Sequence, residues 1–161
     1  MRDRTRLRVH RGKLLWGDPA RGVPVYAACF LPEREIVVQS ELLRRPQRFR
    51  LILVHEIFHF AWRRLGNARR AEFSSILEAE QQGRARGELG ESSHLKKARL
   101  ERRDCDTKSR AWRDYACESF CDTAAWLFSG IKKDVEFTLG RGWRARRARW
   151  FEACFEVGCK C

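Results

Sequence analysis

The run LILVHEIFHFAW, residues 51–62, sets His55, Glu56 and His59 inside the most apolar stretch of the chain. Ionisable groups in a helix that is otherwise Leu, Ile, Val and Phe are costly to bury without a partner, and a divalent cation removes that cost. A spacing of four puts both imidazoles on one helix face about one turn apart, close enough to hold a single metal ion. Glu56 points to a neighbouring side of that face. There it can take a proton from a metal-activated water without itself being a ligand. Because the helix is apolar almost all round, it is expected in the centre of the fold.

Two histidines do not complete a catalytic zinc site, which usually takes three protein ligands plus water. Candidates for the third are Glu72, Glu78, Glu80, His94, Asp114 and Glu118. The first three sit on a polar helix, where a solvated face explains them, and His94 lies between SS and KK and reads as a surface residue. Glu118 is chosen because YACESFCDTAAWLF puts Glu118 and Asp122 on one face of an apolar helix, four residues apart. Like charges so arranged repel unless a cation or a charged histidine lies between them. Glu118 is then the ligand, and Asp122 accepts the outer N–H of a ligand histidine, fixing its tautomer. Two histidines and a carboxylate suit Zn2+ best, one per chain, although iron or manganese fits similar ligands. The cysteines are read as reduced thiols, with Cys159 and Cys161 in the tail either roleless or open to a soft metal or oxidation.

At 161 residues the chain is the right size for one compact domain. Its expected class is α+β. Residues 7–40 read as a small sheet of about three strands, with VPVYAACFL and REIVVQ flanking a hairpin connection at PERE. The HExxH helix spans 46–66, opened by Pro46 and stopped by Gly66. A second helix is expected over 71–82, a polar insertion that is mobile or partly helical over 83–110, the Glu-bearing helix over 108–130, and a basic segment over 135–161. No apolar run is long enough to cross a bilayer, and the N-terminal arginines lack the apolar region of a secretory signal, so a cytoplasmic location is expected.

With HEIFH at 55–59 and ESFCD at 118–122, the chain resembles a zincin-type zinc metallopeptidase, and among these a small gluzincin, whose second motif is ExxxD. It is also similar to the ImmA/IrrE-type bacterial metallopeptidases, which set an HExxH helix ahead of a glutamate-bearing one. The resemblance covers about a hundred residues, from Val23 to Gly130. It implies a zincin-like fold with a β-hairpin edge near the metal, His55, His59 and Glu118 as ligands, Glu56 as general base and Asp122 behind a histidine. It further implies a Tyr or His donor for the oxyanion, for which Tyr115 is the nearby candidate. Metzincins are excluded, since Trp62 and Leu65 stand where their glycine and third histidine would be. The implied partner is a peptide or protein, held as an extended strand against the hairpin edge.

A net charge of +13 attracts polyanions. In GRGWRARRARWFE, Arg144, Arg146 and Arg147 alternate with Trp143 and Trp150, a pattern that can bind phosphates and stack on bases. An amphipathic helix with buried tryptophans and solvated arginines explains it equally well. The rival functional reading is thus a nucleic-acid-binding module, or a regulatory scaffold, whose metal is structural or absent.

Overall fold

The computed structural model describes residues 7–10, 13–16 and 23–156, and its architecture is α+β. Strand β1 (Leu7–His10) lies between β2 (Lys13–Trp16) and β3 (Val23–Val25) in an antiparallel sheet, with Leu7 opposite both Trp16 and Val25. After Tyr26 the chain continues as β4 (Ala27–Phe30) and returns as β5 (Glu35–Val38), a hairpin pairing Ala27 with Val38 and Phe30 with Glu35. The hairpin around PERE is where the sequence puts it. Among the described residues the strands number five in two sheets rather than about three, because each of the first two runs divides. The second run divides at Tyr26, whose carbonyl turns aside to accept the Gln39 N–H at 2.8 Å.

Pro46 opens α1 (Pro46–Arg64), where its missing N–H leaves no helical bond unmade. Leu65 departs from the helix with ψ of 131°, and Gly66 is the N-cap of α2 (Asn67–Gln82). Two short helices follow, α3 (Glu91–Lys97) and α4 (Arg102–Thr107). Ser109 then caps α5 (Arg110–Phe128), its hydroxyl accepting the Trp112 N–H at 3.3 Å. Gly130, at φ 76°, supplies the left-handed residue just past its end. The last helix is α6 (Arg141–Glu156).

The central helix is α5 rather than α1. Along α5, Trp112, Tyr115, Phe120 and the small residues from Cys121 to Ala125 are all buried, whereas α1 buries only Leu51 and His55 and leaves Ile57 46% exposed. A chain this small cannot wrap two apolar helices completely. One flank of α1 lies along α5 and another meets β4, and its remaining apolar surface stays half-buried. The main core joins α2, α5 and α6 through Phe73, Phe120 and Phe151, with Phe120 and Phe151 stacked at 4.9 Å between ring centroids.

Of the two forms expected for residues 83–110, mobile or partly helical, the structure has the second, and the segment is packed rather than solvated. Helix α3 packs on α5, and Glu88, Leu89 and Ser93 are fully buried. Leu89 joins a second apolar cluster with Leu51, Ala125, Phe137 and Leu139.

The interior also holds a buried ionic network. Arg147 makes a two-pronged bond to Glu80 through Nε (2.8 Å) and Nη2 (2.5 Å), while its Nη1 donates to Glu88 at 2.9 Å and to Thr123 at 3.2 Å. Lys97 Nζ lies 3.1 Å from Glu88, and the Tyr115 hydroxyl donates to Glu88 at 2.6 Å. Two cations therefore face two carboxylates. Every member has partners, which is the condition for burying charge at all.

Candidate metal centre

Among the described elements the contact between α1 and α5 is the most extensive, and it brings HEIFH against CESFCD. His55 Nδ1 lies 2.7 Å from Asp122 Oδ1. A carboxylate only accepts, so His55 donates from Nδ1 to Asp122, and a cation that displaces the proton of Nε2 would find the lone pair of that nitrogen turned to His59 and Glu118. That Nε2 lies 3.2 Å from His59 Nε2 and 3.3 Å from Glu118 Oε2, and the third edge of the triangle, His59 to Glu118, is 4.0 Å. Tetrahedral bonds of about 2.0–2.1 Å to nitrogen and carboxylate oxygen set donors about 3.3 Å apart. Two imidazole nitrogens and a carboxylate oxygen thus bound a space of the size that one small divalent ion requires.

Cys121 Sγ is also within reach: a nitrogen of each histidine and this sulfur all lie within 4.8 Å of one another. Glu118 is taken as the third donor, because its oxygen lies 3.3 Å from His55 Nε2 and its side chain is 21% exposed, whereas Cys121 is fully buried. The far nitrogens are both engaged. Asp122 holds that of His55, and Cys117 Sγ lies 3.5 Å from that of His59.

The electrostatics follow from this packing. Burial works against a charged His55, yet the Asp122 and Glu118 carboxylates outweigh it and raise its pKa well above the usual value. His59 is raised against the same opposition, chiefly through its bond to Cys117. Burial would lift Glu118, but its bond to His55 and the charge of both imidazoles hold it below the ordinary carboxylate value. The Cys117 thiol, bonded to Cys121 and to His59, is lowered to about 6 in spite of burial. Burial lifts Glu56 above the ordinary carboxylate value, and the two imidazoles offset this only in part.

No family model matches the chain, nor does any curated protein or solved structure. What the site can do is therefore argued from its own geometry.

His55 and Glu56 open onto a cleft of about 360 Å³. One wall is the strand segment Val25–Ala27, the other is Leu89–Ser92, and Asp122 lies at the base. At the mouth, Arg48 pairs with Glu136 at 2.5 Å and approaches Glu91 at 4.0 Å. The second wall also braces the centre. Ser93 N–H donates to Asp122 Oδ2 at 2.9 Å, so both oxygens of Asp122 are committed. This contact requires Gly90, where an added Cβ would meet the Asp122 carboxylate at 2.3–2.5 Å. Gly90→Ala is expected to destabilise the protein by about 1–3 kcal/mol through overpacking, and to loosen metal binding about 10–100-fold by displacing the carboxylate behind His55. Thermal melts and metal titrations of the variant check both.

The structure brings His55, Glu56, His59, Glu118 and Asp122 together as the sequence predicts, and it leaves other expectations unmet. Tyr115, expected as an oxyanion donor, is fully buried and gives its hydroxyl to Glu88, so it is not available to the cleft. The proposed phosphate-binding arginines divide. Arg147 is fully buried in the ionic network, Arg144 donates to the carbonyls of Phe137 and Leu139, and only Arg146 is exposed. Trp150 packs on Phe73 and Phe120, and Trp143 packs on the second cluster, so the tail is a helix that turns its tryptophans to the core, although Arg147 is not solvated as the amphipathic alternative expects. Of the other ligand candidates, Glu72 bonds to Arg69 and Trp150, Glu78 to Ser74 and Lys108, and Glu80 to Arg147, while His94 and Asp114 are exposed. Cys159 and Cys161 lie outside the described residues. None of the described helices is long and apolar enough to cross a membrane.

Sequence reasoning missed the wall residue Gly90, Ser93 behind Asp122, and the two α5 thiols. The thiols had a signal. In CESFCD a thiol–carboxylate doublet recurs at a spacing of four, on the helix face that HEIFH meets.

Proposed function

We propose that the chain is a zinc-dependent metallopeptidase, in which His55, His59 and Glu118 hold the ion and Glu56 is the general base. The observation that carries this reading is the convergence of His55 Nε2, His59 Nε2 and Glu118 Oε2 at 3.2, 3.3 and 4.0 Å, beside a base that opens on a cleft. When bound, zinc supplies Lewis acidity for the scissile carbonyl and brings the pKa of water down towards neutrality. Asp122 keeps His55 in the tautomer whose lone pair faces the site, and Ser93 N–H fixes Asp122 in turn. Glu56 receives the proton of the attacking water and hands it to the leaving amine. The wall at Val25–Ala27 offers main-chain groups to an extended peptide, and β4 pairs with β5 alone among the described strands.

The burial of Arg147 and the commitment of Arg144 weigh against the nucleic-acid reading of the tail. Elemental analysis of the purified protein tests the metal site first. About one zinc per chain is expected in the wild type, with loss of the metal in Glu118→Ala. A folded wild type that takes up no zinc would overturn the proposal.

A further inference from the structure

We infer that the centre contains sulfur: Cys121 is a fourth donor to the ion, and the four-donor form, closed to water, is a resting state of the site. This rests on the metal-centre reading above and goes beyond it in naming a ligand outside the His–His–Glu set.

Three observations converge. On α5, Cys117, Glu118, Cys121 and Asp122 share the helix face turned to α1, by virtue of their spacing of three and four. Of these, Glu118 and Asp122 both contact His55, and Cys117 Sγ contacts His59 Nδ1 at 3.5 Å. Cys121 is the remaining member of the face. Its sulfur falls within 4.8 Å of a nitrogen of each histidine, and the side chain is fully buried.

Two imidazoles, a carboxylate and a thiolate make four donors, the number that closes a zinc site, whereas a hydrolytic site keeps one position open. Hydrolysis in this centre therefore requires that Cys121 leave the ion when water enters. On ligation Cys121 gives its S–H proton to solvent and its sulfur lone pair to the metal, and no electron changes hands. A sulfur donor also sets selectivity. Zn2+, Co2+ and Cd2+ accept thiolate, whereas Mg2+ and Mn2+ prefer oxygen.

Cobalt reports the ligand directly. Co2+ added to the metal-free full-length chain is expected to give a near-ultraviolet sulfur-to-cobalt charge-transfer band. Cys121→Ser removes that band while the visible ligand-field bands persist, and Cys117→Ser leaves it in place. Cobalt bound without the band, or the band persisting in Cys121→Ser, overturns the inference and leaves the His–His–Glu site standing. A folded protein that takes up no ion overturns both. If Cys121→Ser fails to fold, zinc X-ray absorption decides on a variant keeping Cys121 as its one thiol (Cys29, Cys105, Cys117, Cys159 and Cys161 to Ser, Cys154 to Ala). A sulfur scatterer at about 2.3 Å is expected there, and nitrogen and oxygen alone at about 2.0–2.1 Å overturns the inference.

Discussion

Replacing Arg147 by methionine is expected to cost about 3–5 kcal/mol of stability and to lower the Tm by about 10 °C, the largest stability effect of any single substitution in the basic tail. The substitution keeps most of the side-chain volume but removes the charge that two buried carboxylates share. Glu80 loses both of its bonds, and Glu88 is left with Lys97, Tyr115 and a 3.5 Å contact to Ser119. The penalty is that of an uncompensated buried charge rather than of lost packing. The double variant Arg147→Met/Glu80→Gln, which restores the charge balance, is therefore expected to recover a large part of the loss. If the double variant melts no higher than the single one, packing rather than charge holds the tail.

The same network predicts how wild-type stability responds to acid. Burial would raise Glu88, but Arg147 and Lys97 outweigh it, so its folded-state value lies below the ordinary 4.5. A carboxyl depressed by folding contributes stability that is fully present above 4.5 and is lost as the pH falls through the lower folded value. Denaturant melts from pH 5 downward should record that loss. In Arg147→Met two buried carboxylates face one cation, and burial then favours the protonated form. That variant should lose stability as the pH rises above the ordinary carboxylate value, a dependence of the opposite sign.

Arg147 also marks the limit of what could be read from the chain. His55, Glu56, His59, Glu118 and Asp122 were legible because each motif is local: two ionisable groups four apart on an apolar helix face the same way, whatever the tertiary fold. Their meeting was legible too, since two such faces each need a cation. The opposite is true of Gly90, Ser93 and Glu88. Their roles come from contacts across 27 to 32 residues of chain, to Tyr115, Ser119 and Asp122, and the polarity of residues 83–110 imitates a solvated loop. Arg147 reads as one more arginine in a basic run, because burial of a single cation depends on carboxylates from α2 and from the segment after it. Periodicity also misjudged α1. An all-round apolar helix signals burial, but α5 took the centre, with small residues from Cys121 to Ala125 that permit close approach.

The largest expected effect on activity is that of Glu56→Gln. The variant is expected to lower kcat by about 10²–10⁴ on any peptide of a quenched-fluorescence library that the wild type cleaves, with its zinc content unchanged. Glutamine matches glutamate in size and can still accept a hydrogen bond from water, so binding and the shape of the cleft are preserved. What it cannot do is take the proton. The ligand atoms converge without Glu56, whose carboxyl responds to His55 and His59 only as neighbouring charges, so zinc stays when the base goes. Loss of zinc together with activity would instead make Glu56 a ligand. Unchanged activity would move the base elsewhere and remove the reason for a glutamate at the second position of HEIFH. The pairing of full metal content with lost turnover separates a hydrolytic centre from a structural one, because a structural ion has no use for the glutamate beside its ligands.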